Sequence, residues 1–129
     1  MFNRIFGKSQ PPNSPPPAAE PQELPVISTP GDLEQLLRQP LAMVYKHSAT
    51  CPVSWAAHKQ MKRFHAEHPD VPIGMLTVQK DRALSNFIAQ ATGIQHASPQ
   101  VILYRAGKPC FDTSHEGITV DELAEAVGA

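Results

Sequence analysis

The 129-residue sequence holds only two cysteines, Cys51 and Cys110, and they stand far apart. That scarcity excludes a small secreted scaffold stapled by disulfides. No apolar run approaches the length of a membrane helix, and the opening MFNRIFGK lacks the apolar centre of a secretory leader. A reducing cytoplasm is the expected location, with no integral membrane segment. An excess of charge is missing too, since 11 basic residues meet 12 acidic ones. Near-neutrality argues against nucleic acid or an anionic membrane surface as the main partner.

Proline, in contrast, is plentiful and unevenly spread. Eight of the 14 prolines fall between Pro11 and Pro30, among Ser, Gln, Asn and Ala. Such a stretch cannot bury enough apolar surface to offset the entropy of ordering it, so residues 1–23 are expected to be a disordered extension with polyproline II character. Its first eight residues place Phe2, Ile5 and Phe6 beside Arg4 and Lys8; an anchor or docking peptide is conceivable there, but so short a helix is marginal and a frayed terminus is the plainer reading. One domain is expected over residues 24–129.

Within it, elements alternate. Leu24 to Ser28 reads as a short strand. A helix from about Gly31 to Gln39 is started by Thr29 with Asp32 three residues on, carries Leu33, Leu36 and Leu37, and is stopped by Pro40. Leu41 to His47 is a buried strand. A helix from Cys51 to about His65–His68 repeats Val53, Ala57, Met61 and Phe64 on one face. Val71 to Val78 is a second apolar strand. Asp81 to Thr92 is a helix with Leu84, Phe87, Ile88 and Ala91 on one face and Gly93 as its stop. Gln100 to Tyr104 and Cys110 to Thr113 form a hairpin about Ala106-Gly107-Lys108, and Thr119 with Glu122 opens a last helix bearing Leu123, Ala126 and Val127.

This order, a βαβ half followed by a ββα half, predicts an α/β domain of thioredoxin-like fold: a central mixed sheet of about four to five strands flanked by helices. A flavodoxin-like sheet would want another βα unit where this chain has its hairpin. In the thioredoxin-like layout, Ser98-Pro99 occupies the slot of a cis-proline that lies beside the reactive sulfur.

Cys51 sits where a strand meets a helix N-terminus, and Pro52 suits the first helical turn. Free N–H groups and the positive end of the helix dipole favour a thiolate there, the form that attacks sulfur. A dithiol motif would put a second cysteine at position 54. Ser54 stands there instead; its hydroxyl is expected to donate to the Cys51 sulfur but cannot resolve a mixed disulfide. Trp55 follows, as groove lining or as core. The six histidines raise the question of a metal. His58 and His65 are too far apart on their helix to share one, and His65 and His68 lie at a solvated end, so none is expected.

Four segments, KHSATCPVS, GIQHASPQ, the AGK turn and SHEGIT, in this order and spacing, resemble the monothiol bacilliredoxin family over residues 24–129. The resemblance implies a thioredoxin fold and removal of the low-molecular-weight thiol bacillithiol from modified protein cysteines. It makes Cys51 the nucleophile and places Ser54 where dithiol relatives carry the resolving cysteine. Ser98 and Pro99, with Trp55, would line the substrate groove. Thr50 neighbours the thiol. His47, and with it His96 and His115, would support the thiolate as protonated imidazoles, or else are polar residues at strand ends. No bound cofactor is implied; bacillithiol is a co-substrate, and the partners are bacillithiolated client proteins and a low-molecular-weight thiol or reductase, with the protein a monomer. Cys110 departs from the apolar residue common at its position. It is expected to be a buried small residue too far from Cys51 to bridge it.

Two other readings stay open. A sensor or adaptor would keep the fold and let Cys51 be modified without turnover. A thiol peroxidase would want an arginine near the thiol, and the sequence around Cys51 has none.

Overall fold

The computed structural model describes residues 23–128; the expected proline-rich extension and its amphipathic first eight residues lie outside them. The elements, in order, are α1 (Pro30–Leu37), β1 (Leu41–His47), α2 (Pro52–Glu67), β2 (Ile73–Thr77), α3 (Arg82–Thr92), β3 (Gln100–Arg105), β4 (Lys108–Ser114), a 3-10 turn (His115–Gly117) and α4 (Val120–Val127).

Four strands form one mixed sheet in the order β2-β1-β3-β4. β1 runs parallel to β2 and antiparallel to β3, and β3 pairs antiparallel with β4. Every residue of β1 from Ala42 to His47 is buried, because helices cover both faces and leave no solvated side to alternate with. On one face Met43, Tyr45, Val101 and Leu103 pack with Ala57, Met61 and Phe64 of α2 and Leu123 of α4. On the other, Val44, Leu76, Ile102 and Tyr104 pack with Leu33 of α1 and Leu84 and Ile88 of α3.

Local chemistry sets the ends of the elements. Thr29 Oγ1 accepts from Asp32 N at 3.0 Å and the Asp32 carboxylate accepts from Thr29 N at 3.2 Å, a reciprocal cap that starts α1. Gly93 closes α3 at φ 72°, a conformation costly for any residue with a Cβ. Thr119 Oγ1 accepts from Glu122 N and starts α4.

Two expectations need correction. Leu24–Ser28 is not a strand: Val26 makes a single bridge to Met75, with Met75 N donating to Pro25 O and Ile27 N to Met75 O. Pro25 has no N–H to continue a ladder, and α1 begins at Pro30, so the segment is too short to extend. On α3, Leu84 and Ile88 are buried as expected, but Phe87 is 47% exposed and Ala91 also faces solvent. Ser85 is buried in their place, turned inward by polar partners described below.

Candidate active site

β1, β2 and β4 run in one direction and β3 against them, so the ends of β1, β2 and β4 and the start of β3 cluster at one end of the sheet. Lys46 pairs with both Leu76 and Gln100, and Gln100 pairs with Ser114. The loop to Cys51, the turn after β2, the approach to β3 through Pro99 and the 3-10 turn after β4 therefore lie together.

Cys51 is the N-cap of α2, with φ −105° and ψ 123°, and is half-buried. Its carbonyl accepts from Trp55 N at 3.2 Å, the first hydrogen bond of the helix, while its sulfur makes no capping bond. The residues before it are held by a side chain that sequence patterning did not single out. Gln79 Nε2 donates to Ser48 Oγ at 2.8 Å and to Thr50 Oγ1 at 3.2 Å, and its Oε1 accepts from Ala49 N at 3.1 Å. The parallel register gives the clue, since His47 faces Thr77 and both chains leave the sheet together. Trp55 Nε1 donates to Ala49 O at 3.0 Å, and its ring remains 49% exposed, so it is surface beside the thiol rather than core.

Three expected supports of the thiolate point elsewhere. Ser54 is fully buried, and its Oγ accepts from Ser48 N at 3.2 Å. Among the described residues it makes no hydrogen bond to Cys51; it fastens the loop to the first turn of α2 instead. Thr50 is taken up by Gln79. His47 lies below, where Tyr45 Oη is 3.0 Å from its Nδ1 and donates to Ser54 O at 3.0 Å. The single phenol proton goes to that carbonyl, so Nδ1 of His47 carries the hydrogen that meets Tyr45. Its ring stands edge-on to Trp55, with centroids 4.7 Å apart, and lies 4.8 Å from His58. Burial, then the charge of His58, holds the His47 pKa below the ordinary histidine value. His47 is thus neutral at pH 7 and is not the protonated support expected. Burial first, and then the neighbouring Cys51 charge, push the Tyr45 phenol up.

On the far side, the Ser98-Pro99 peptide bond is cis, Pro99 is buried and Ser98 is half-buried. Pro99 O accepts from His115 N at 3.1 Å, which ties the proline to the 3-10 turn. A cleft of about 230 Å³ runs from Val53 and Ala56 on α2 to His115 and Glu116. His96 turns away from this face, with Nδ1 3.2 Å from Lys46 Nζ. No group of three or more His, Cys, Asp or Glu side chains able to hold a metal ion occurs among the described residues.

Cys110 also differs from expectation, because it is exposed. Leu103 pairs with Phe111 and Tyr104 with Pro109, which leaves Cys110 as the extra residue of a bulge in β4. It stands four positions before Ser114, about 13 Å along the strand, and β4 lies two strands from β1, about another 10 Å across the sheet. Cys51 follows β1 beyond the Ser114 end, so the two thiols lie farther apart than the ~7 Å Cα separation a disulfide tolerates.

Residues 26–123 match the family model described as monothiol bacilliredoxin BrxC. A solved structure described as a candidate oxidoreductase with a thioredoxin fold is 34% identical, with TM-score 0.76, over 81% of this chain and 93% of that one. A mutant thioredoxin from Halobacterium salinarum superposes with TM-score 0.66 at 18% identity, over 86% and 93% of the two chains. The thioredoxin of Trypanosoma brucei brucei gives 0.67 at 12%, over 88% and 99%. These last two bear on the fold alone: it is a thioredoxin fold.

Proposed function

Because the chain belongs to the monothiol bacilliredoxin family, we propose that it removes bacillithiol from S-bacillithiolated protein cysteines by thiol–disulfide exchange through Cys51. The observation that carries this reading is a half-buried thiol at the N-cap position of α2 with a serine, not a second thiol, one turn on. The Cys51 thiolate attacks the bacillithiol sulfur of the client disulfide. That bond breaks, the client thiolate leaves and takes a proton from solvent, and Cys51 is left joined to bacillithiol. A second thiol, free bacillithiol or that of a reductase, then attacks the adduct and restores Cys51. Cys110, at the other end of β4, takes no part in either step. Pro99, Ser98 and Trp55 border the sulfur, and the protein acts as a cytoplasmic monomer with no bound cofactor.

Intact mass and client turnover test this reading. Wild-type protein and Cys110→Ala should release bacillithiol from a modified client at rates within about twofold of each other. A bacillithiol-sized adduct should form on both and be absent from Cys51→Ser. An adduct that forms from bacillithiol disulfide, with no release of thiol from the modified client, would favour the sensor reading instead, and a stalled Cys110→Ala would overturn the monothiol assignment.

A further inference from the structure

Lys46 is wholly buried, although lysine is almost never found so without a partner. No carboxylate lies within salt-bridge distance of it among the described residues. Moving an ammonium out of water costs several kcal/mol, and a methionine would fill the same space without that cost. What the charge gains is geometric. Nζ donates to Ser85 O on α3 at 3.1 Å and to His96 Nδ1 at 3.2 Å, and Ser85 Oγ is 3.3 Å from the same imidazole nitrogen. Lysine only donates, so His96 must offer a lone pair at Nδ1 and carry its hydrogen on Nε2.

The neighbouring strand makes a matching contact. Gln100 is the cross-strand partner of Lys46, is likewise buried, and donates from Nε2 to Gln95 O at 2.9 Å. Two paired positions on β1 and β3 thus grip consecutive residues of the segment between α3 and β3. That segment ends in Pro99, one residue before Gln100, while Lys46 lies five residues before Cys51. We infer that Lys46 is a positioning residue for the exchange reaction: its ammonium, held against neutral His96, sets the Gly93–Pro99 segment against β1 and so places Pro99 relative to Cys51.

The grip depends on two protonation states. Burial brings the Lys46 pKa down to about 8, so above that pH the charge-assisted bonds to Ser85 and His96 give way to weaker neutral ones. Burial, Lys46 and Arg82 of α3 hold His96 below the ordinary histidine value; protonation there in acid removes the acceptor. From β2, Lys46 meets Leu76, and from β3 Gln100, neither of which titrates.

This role presupposes Cys51 as the exchanging sulfur, so two independent readouts are compared in wild type, Lys46→Met and His96→Leu. The first is the ratio of client debacillithiolation rate to iodoacetamide alkylation rate at Cys51, from pH 5 to 10. The ratio cancels thiolate formation. It should be flat from about pH 6.5 to 7.5 in wild type and fall severalfold by pH 9.5. In Lys46→Met it should be about tenfold lower at pH 7 and level with pH through that alkaline range, while His96→Leu, which keeps the Lys46 bond to Ser85 O, should be lowered less and still fall in alkali. The second is amide hydrogen exchange. Residues 93–98 should exchange at least tenfold faster in the variants, while α2 keeps its protection. A Lys46→Met variant that keeps the wild-type ratio at every pH, or lowers it with the wild-type pH profile, overturns the role. If the client is no substrate for any of the three, the proposed function fails, and hydrogen exchange decides alone: unchanged protection over 93–98 overturns the positioning, and accelerated exchange upholds it.

Discussion

At the scale of single residues, the group beneath the reactive loop is defined by one phenol. Tyr45 joins His47 to the Ser54 carbonyl, so Tyr45→Phe leaves a buried imidazole N–H without its acceptor. The expected loss is about 1–3 kcal/mol, read as a lower urea midpoint. His47 and His58 add a pH dependence whose sign is fixed by their depressed values. The unfolded chain takes up protons near pH 6.5, while the folded chain resists them. Stability is therefore full above about pH 6.5 and declines as the solution is acidified below it. Thermal midpoints at pH 7.5 and pH 5 should show the drop, and His58→Leu should make it shallower. The placement of Cys51 at the start of α2 with a serine one turn on, and the cis peptide before Pro99, were legible in the sequence, because strand, thiol, proline and helix follow one another. The direction of the His47 ring was not. It depends on Tyr45, two residues earlier on the same face of β1, and on Trp55 and His58 from the next element.

At the scale of elements, termini were read well because capping is a local event. The pair Thr29 and Asp32 forms as the spacing implied, and Thr29→Ala should cost about 1 kcal/mol, measured by chemical denaturation. The first turn of α2 supports a second prediction. Ser54 lies three residues from Cys51, within the reach of neighbouring positions on a helix. Ser54→Cys should therefore close an internal disulfide on mild oxidation, with both thiols lost to alkylation. It should also lose some stability, because Ser48 N loses its acceptor. What escaped the sequence reading was non-local. Gln79 holds a loop some 30 positions earlier, and Lys46 reads as one polar residue at the end of an apolar strand. Ser85 occupies a face assigned to Phe87 and Ala91, since periodicity does not reveal that an ammonium waits beneath it.

At the scale of the whole molecule, Lys46 affects stability in the opposite sense to a lysine whose pKa is raised by a carboxylate partner. Its folded value lies near 8 and its ordinary value at 10.5, so the unfolded state holds the proton more tightly through that interval. The Lys46 contribution to stability should rise with pH from about 8, until near pH 10 the raised Tyr45 and Tyr104 phenols begin to oppose it. Lys46→Met should be at least as stable as wild type at pH 7 and show no such rise. The sheet as a whole has one fully open margin. β2 is bridged by Val26, but β4 has no strand beyond it among the described residues. Along that margin Lys108 and Pro109 are exposed, and Cys110 bulges out of the ladder. A flat outer strand offers a row of free amide and carbonyl groups onto which a second chain can crystallise as an added ribbon; a ring nitrogen without hydrogen and a kink interrupt that row. The bulge therefore acts as a guard against self-templating in a crowded solution. Straightening it, by deleting Cys110 and replacing Pro109→Val, should leave exchange chemistry at Cys51 intact while light scattering climbs with protein concentration.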